Sequence, residues 1–488
     1  MNEQSTSQAN DTITSQIHEF KPIVPDSRSS IEQSVHILEN EEKIYKKINQ
    51  IVKSEEKKVP ELPTKSTVIG ATFMLTNICL GTTIFTFAVK AKSFGLVWLI
   101  VATIIVGIIN YWTIIRGAIA SSKCKEEDFS EITERILGRK ARVILNIFLI
   151  LYSYACMMCF LALLFPLFGR FILSAAYRND YESYELFEEK KWGIAYIKYP
   201  FFVGISFIIS LICLIKDINK LNFSAYIGVG AVMYTLLVIT IQCHDYYNYY
   251  KKTIYKKEDK STYPNWINIG NAFTKELDFF KGMANLFCAY ACHPGIFPVY
   301  AGFKFQENGL YKMKLGTFFA TCLTTALHII SIVCSFLTDP ITPEDLIIYR
   351  KNKGNGRDIA MTVSKLFIVF SLVFTLPGYY FSLRLSIANS FTGGKISNKF
   401  NYIFTFASVF GCSAIAAVYD KILNYLSYIG GFISVFICYL IPILIYVYSS
   451  GKSPFYWKNF IEIILAIILC TIGVIAGIVT LIDDIKNK

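Results

Sequence analysis

Charge is what this sequence has least of. Only 17% of its 488 residues are Asp, Glu, Lys or Arg, against 53% hydrophobic, and the mean hydropathy is +0.43. That balance excludes an ordinary water-soluble domain, in which about a quarter of residues are charged. There is no G-x-x-x-x-G-K-[ST] loop, which argues against an ATP-driven pump. The apolar stretches hold no convergent carboxylates, no His-rich metal set and no nucleophile beside a base, so a membrane enzyme is not expected. Met1 to Asn10 is polar throughout, and no secretory signal peptide is expected.

What is present is a series of long uncharged runs. Crossing roughly 30 Å of hydrocarbon takes a helix of about 17 or more residues. Eleven uncharged stretches reach that length: 68–89, 93–115, 143–169, 199–215, 221–243, 282–303, 315–338, 366–383, 400–419, 422–451 and 463–482. Inside hydrocarbon each backbone N–H and C=O must be bonded within its own segment, and runs this long without alternation suit helices rather than barrel strands. The expectation is an all-α integral membrane domain of 11 transmembrane helices over residues 65–488, surrounded by lipid. Residues 1–64 differ in kind: they are polar, carry Lys/Glu clusters such as NEEKIYKKINQIVKSEEKK, and cannot bury enough apolar surface to fold alone. They read as a disordered cytosolic N-terminal tail, with 39–58 as a short surface helix.

The formal charge of +12 does not point to nucleic acid, because the Lys and Arg residues are spread over loops and tail, where solvent or lipid headgroups meet them. Nearly all of the 13 cysteines lie inside the apolar stretches, where they behave as small hydrophobes. Cys156 and Cys159 form a C-x-x-C with no second pair nearby, which favours core packing over redox or metal chemistry. Lys123, Lys125, Arg135, Arg139, Lys140 and Arg142 between the second and third stretches, with the Lys-rich tail, favour a cytosolic N-terminus. The Lys-rich segment 244–281 then lies outside; long loops count little in that rule.

Two stretches are interrupted. The first contains LTNICLGTTIFTF (75–87), with polar Thr76 and Asn77 ahead of Gly81-Thr82-Thr83. The sixth contains YACHPGIF (290–297), where Pro294 cannot donate to the carbonyl of Tyr290 and Gly295 permits an unwound turn. Glycines that let helices pack closely and prolines that merely kink a chain are the plain alternative. Breaks five stretches apart, with polar neighbours at both, instead point to a transporter of two inverted halves holding its substrate between the breaks. A half-helix N-terminus suits a carboxylate, and free carbonyls suit an ammonium or a cation.

Four segments carry a family resemblance. NICLGTTIFTFAVKAKSFG (77–95), FCAYACHPGIFPVYAGFK (287–304), FTLPGYYFSLRLSI (374–387) and YLSYIGGFISVFICYLIPILIY (425–446) resemble, in order, the first, sixth, eighth and tenth helices of the amino acid/auxin permease family, within the amino acid–polyamine–organocation transporters. The likeness runs from about Ser66 to Asp483; Phe87 stands where that family usually has a proline after the first break. The resemblance implies a LeuT-type 5+5 inverted repeat plus an eleventh helix, with helices 1 and 6 broken, moving amino acids by alternating access with Na⁺ or H⁺ coupling.

It implies that backbone N–H groups of Gly81, Thr82 and Thr83 take the substrate carboxylate, and that carbonyls near Thr76 and at Tyr290, Ala291 and Cys292 take the α-amine. Asn77 matches a position tied to cation and substrate binding. Ser371 and Thr375, four apart and so on one helix face, are the implied hydroxyl ligands of a Na⁺ ion. Back-bonding of those hydroxyls to their own helix is the bland alternative. No organic cofactor is implied.

Proton coupling needs a group that titrates near the working pH. Of the five histidines, His18 and His36 lie in the tail and His244 ends the fifth stretch. His293, with Pro294, sits in the sixth-stretch break, where a gating or structural hydrogen-bond role and a proton-carrying role both stand open. His328 is expected to make a helix-to-helix hydrogen bond. Lys365 and Arg384 are expected to snorkel to the interfaces, with a gate ion pair as the alternative for Arg384. Beside the transporter reading stands an amino acid sensor of the same fold, signalling through residues 1–64 to a cytosolic partner. Either would sit in the plasma membrane or a vacuolar/lysosomal membrane.

Overall fold

A computed structural model describes residues 67–124, 128–176, 194–214, 222–253, 278–304, 306–338, 346–350, 358–391, 397–418 and 422–486. The expected tail, with His18 and His36, lies outside the described residues. Among those described, every regular element is helical. In chain order they are α1 (Val68–Cys79), α2 (Phe87–Phe94), α3 (Leu96–Cys124), α4 (Phe129–Leu137), α5 (Arg139–Ala176), α6 (Ile194–Cys213), α7 (Asn222–Thr253), α8 (Asp278–Ala289) and α9 (Ile296–Ala301). Then come α10 (Gly309–Thr338), α11 (Ile359–Phe391), α12 (Asn398–Val418), α13 (Ile422–Tyr428), α14 (Ile441–Ser449) and α15 (Trp457–Lys486).

Each of the eleven uncharged stretches contains helix among its described residues, the first and sixth with an interruption, and eight helices among the described residues are long and apolar enough to cross a bilayer. The stretches outside those eight are the fourth and the two interrupted ones. The protein is therefore an integral multi-pass membrane protein. Several helices run past their uncharged cores: α3 continues to Cys124 and α7 to Thr253, since polar residues at the bilayer edge keep a helix going as readily as apolar ones.

Local signals set the boundaries. Thr67 caps α1 by accepting from the Gly70 N–H at 3.0 Å, and Asp358 caps α11 by accepting from the Met361 N–H at 3.0 Å. Gly95 and Gly138, at φ 91° and 87°, turn the chain between α2 and α3 and between α4 and α5. The tenth stretch is irregular, with π-helical turns at Ile429–Ser434 and Phe436–Leu440 between α13 and α14, a feature often found at functional sites.

The centre of the bundle is packed backbone to backbone where glycines allow it. A methyl group on Gly430 would come within 1.8 Å of the Ala284 carbonyl oxygen, so α8 and the tenth stretch touch main chain to main chain. Outward faces are apolar, as with Ile104, Ile105 and Ile108 on α3 and Val143, Ile144 and Ile147 on α5, which suits a lipid surround. Cys156 and Cys159 are both buried free thiols in the core of α5.

Arg384 corrects an expectation. It is only 9% exposed, lies over the ring of Phe381 at 5.2 Å and donates to Asn401 Oδ1 at 3.4 Å. It does not snorkel, because α12 supplies an amide and α11 an aromatic face that hold the guanidinium inside.

Candidate functional site

The first break follows from where the chain runs out of helix. The Leu80 N–H still donates to the Thr76 carbonyl at 2.8 Å; Gly81 then turns to ψ −164°, and Thr82–Phe85 make a single 3-10 turn before α2. Gly81 to Thr83 occupy the start of that turn, where N–H groups lack a helical acceptor. The break is held from α10, whose Ser331 hydroxyl donates to the Ile84 carbonyl at 2.5 Å.

The second break runs from Tyr290 to Gly295. The Cys292 N–H donates to the Tyr290 carbonyl at 2.9 Å, and the Gly295 N–H to the Cys292 carbonyl at 3.0 Å. The Ala291 carbonyl accepts from the Tyr152 hydroxyl at 2.8 Å. In this conformation the three carbonyls of Tyr290, Ala291 and Cys292 thus all have protein partners. The breaks touch: the thiols of Cys79 and Cys292 meet, and the Ile78 side chain fills the space where Gly295 lacks a Cβ.

Beside the first break is a small cavity. Asn77, Ser371 and Thr375 line it together with the backbone of Gly81 and Gly228, between walls formed by Phe85, Phe160 and Ile368. Its volume is ≈ 20 Å³, room for about one water or ion rather than an amino acid. The polar donors are neutral oxygens, the set a hard monovalent cation favours. Of the residues singled out in the sequence, Asn77, Gly81, Ser371 and Thr375 come together here. Thr76, Thr83, Tyr290, Ala291, Cys292, His293 and Pro294 lie off this cavity, and Thr76 and Thr83 are buried with hydroxyls that have no hydrogen-bond partner among the described residues. For Thr82 only the backbone is described.

The histidines separate. His293 is fully buried, with Nε2 2.9 Å from the Thr113 hydroxyl. His328 does not make the hydrogen bond expected of it: neither ring nitrogen has a partner among the described residues. Instead its ring meets Phe87 and Tyr290 edge-on at 5.1 Å each, since aromatic residues from both breaks fill the space a polar partner would need.

The profile of a family described as transmembrane amino acid transporter protein matches residues 64–485. The chain belongs to this family. Its relatives include the sodium-coupled neutral amino acid transporter 7 of Xenopus laevis, 21% identical over 316 residues, and that of Homo sapiens, 20% identical over 328. These alignments cover 63% and 65% of this chain, and the chain spans 63% and 64% of those relatives' lengths. Among solved structures the fold is similar to that of Mhp1, a nucleobase-cation-symport-1 family transporter solved in a closed conformation with bromovinylhydantoin bound. The TM-score is 0.53 at 12% identity, over 86% of this chain and 94% of that one. The fold of this transmembrane amino acid transporter family member is thus of the LeuT type.

Sequence reasoning missed the clamp on the second break. Thr103, Asn110 and Thr113 on α3 all face it: the Thr103 carbonyl accepts from the Tyr290 hydroxyl at 3.2 Å, Asn110 reaches Cys292 Sγ at 3.8 Å, and Thr113 meets His293. Their spacing of seven and three, with Gly107 and Gly117 on the same face, was the available signal. It also missed Gly228, whose lack of a side chain makes room for Asn77.

Proposed function

We propose that the protein is a secondary active amino acid transporter working by alternating access, with eleven transmembrane helices in a 5+5 inverted repeat plus one, and with Na⁺ as the coupling ion. The observation that carries this reading is the convergence of Asn77, Ser371 and Thr375 on one ion-sized cavity against the break at Gly81. Na⁺ is cargo here: neutral oxygens hold it beside the break, and the N–H groups of Gly81, Thr82 and Thr83 hold the substrate carboxylate next to it, so each charge stabilises the other. Amine recognition falls to the second break, whose Tyr290, Ala291 and Cys292 carbonyls exchange protein partners for the ammonium when the bundle opens. His293 keeps that break in shape through Thr113 and is not the coupling group. The family match and the names of the relatives support the amino acid and sodium parts of this reading.

The test is uptake of a radiolabelled amino acid panel into proteoliposomes, with Na⁺ or choline outside and with or without a pH gradient. Accumulation that requires Na⁺ and is lost in Ser371→Ala and Thr375→Val supports the reading. Accumulation driven by pH alone removes Na⁺ from it, and no accumulation of any amino acid removes the whole.

A further inference from the structure

Polar and sulfur-bearing side chains gather towards the C-terminal ends of α7 and α10, away from the cavity beside the first break. Arg350 pairs with Asp358 at 3.5 Å and donates to Gln242 Oε1, the Gln242 amide donates to Asp358 Oδ1 at 3.0 Å, and the Tyr246 hydroxyl donates to Asp358 Oδ2 at 3.3 Å. These bonds tie the end of α7 to the start of α11. Towards α10 the bridge is made of sulfur. Cys243 Sγ donates to the Cys334 carbonyl at 3.5 Å, the two thiols meet, and the Thr240 hydroxyl donates to Cys334 Sγ at 3.5 Å. Both cysteines are free and half-buried. Cys79 and Cys292 also meet, but both are buried in the core, shielded from reagents in water.

We propose that Cys243 and Cys334 are a site of disulfide formation that locks α7 to α10. A thiol bonded to the other cysteine's own carbonyl, with the two sulfurs in contact, is within side-chain rotation of the geometry a disulfide demands. The two helices come from the fifth and seventh uncharged stretches, and odd-numbered crossings end on the face opposite to the one where the chain enters. A cytosolic N-terminus therefore puts both cysteines on the face away from the reducing cytosol, where disulfides persist. The oxidant is a small-molecule disulfide. One cysteine thiolate attacks it, breaking its S–S bond, forming a mixed disulfide and releasing one thiolate; the second cysteine thiolate then attacks the protein sulfur of that intermediate and displaces the other. The two protein thiols give up two electrons and two protons, and the reagent leaves as two thiols. Cys334 stands one turn beyond Ser331, whose hydroxyl holds the first break, and α7 carries Gly228, which makes room for Asn77. Joining the two helices fixes both supports of the first stretch against each other, so the cross-linked protein keeps its fold and loses the movement that alternating access needs. This last step rests on the transporter reading above; the cross-link itself does not.

The test treats the purified full chain in nanodiscs with glutathione disulfide or with dithiothreitol, blocks the remaining thiols with N-ethylmaleimide and maps the digest by mass spectrometry. After glutathione disulfide, Cys243 and Cys334 are expected in one pair of peptides joined through sulfur; after dithiothreitol, both are expected to carry maleimide. Oxidised wild type is expected to melt at a higher temperature than reduced wild type, because the cross-link restrains the unfolded chain. The double variant, Cys243→Ser with Cys334→Ser, is expected to melt alike in both states. In proteoliposomes, oxidised wild type is expected to take up radiolabelled amino acid several-fold more slowly than reduced wild type, and the double variant at one rate in both. Both thiols free after oxidation, or each joined to glutathione rather than to the other, overturns the site. A cross-linked protein that transports as fast as the reduced one overturns the lock. No uptake in either state removes the transporter reading instead, and the cross-link then stands or falls on the peptide map and the melting shift.

Discussion

Asn77 rests directly on Gly228: a methyl group on that glycine would come within 2.1 Å of Asn77 Oδ1 and within 3.1 Å of Ser371 Oγ. α7 therefore sets where two oxygens of the candidate cation site stand, although it contributes no polar side chain to them. Gly228→Ala is expected to push the Asn77 amide aside without unfolding the helix. Loss of one well-placed ligand of ~1.4 kcal/mol corresponds to about a tenfold rise in the Na⁺ concentration for half-maximal uptake. Measuring uptake against Na⁺ checks it, and an unchanged half-saturation value would place the ion elsewhere.

Gly81→Val has the opposite character. The position in front of Gly81 is open, with no atom within 4 Å of an added Cβ, and its φ of −52° is negative. The valine is expected to fill the cavity beside the break, abolishing uptake while leaving the thermal melting temperature near that of wild type. A variant that still transports at the wild-type rate would remove the break from the binding site.

At Gly430 the neighbour is main chain rather than a side chain. The Ala284 carbonyl, 1.8 Å from an added Cβ, moves only if α8 moves. Overpacking of this kind costs ~1–3 kcal/mol, so Gly430→Ala is expected to lower the melting temperature and the folded yield. Thermal-shift measurement in detergent tests it; wild-type stability would mean the two segments separate more readily than their packing implies.

The Thr113 hydroxyl is the hydrogen-bond partner of His293 Nε2, and Nδ1 has none among the described residues. Thr113→Val leaves the imidazole without any, at ~1–3 kcal/mol for a buried polar group left unsatisfied. Stability is expected to fall with Val and to return largely with Thr113→Ser. Equal losses for Val and Ser would assign the effect to packing of the methyl group, not to the hydrogen bond.

Much of this arrangement was legible because membrane helices announce themselves by length and lack of charge, and because a Gly-Thr-Thr or a His-Pro-Gly inside such a run must disturb the backbone. Asn77, Ser371 and Thr375 could be paired through family likeness and four-residue spacing. Gly228 could not: in YIGVGAV nothing distinguishes the glycine that touches another helix from its neighbour Gly230, which meets nothing within 4 Å. His328 went wrong for a related reason. A lone polar residue in an apolar helix implies a partner, but whether one is supplied depends on which side chains arrive from elsewhere, and here two aromatic rings do.

The contrast between Gly81 and Gly430 carries over to how variation in this gene product would be scored. A survey that counts only how much protein reaches the membrane would rate Gly81 as dispensable and Gly430 as essential. A survey that counts cargo moved per molecule would rate Gly81 as essential, and Gly430 only through the molecules that survive. Changes at the first break are therefore expected to leave abundance near normal and to show themselves as lost flux per molecule.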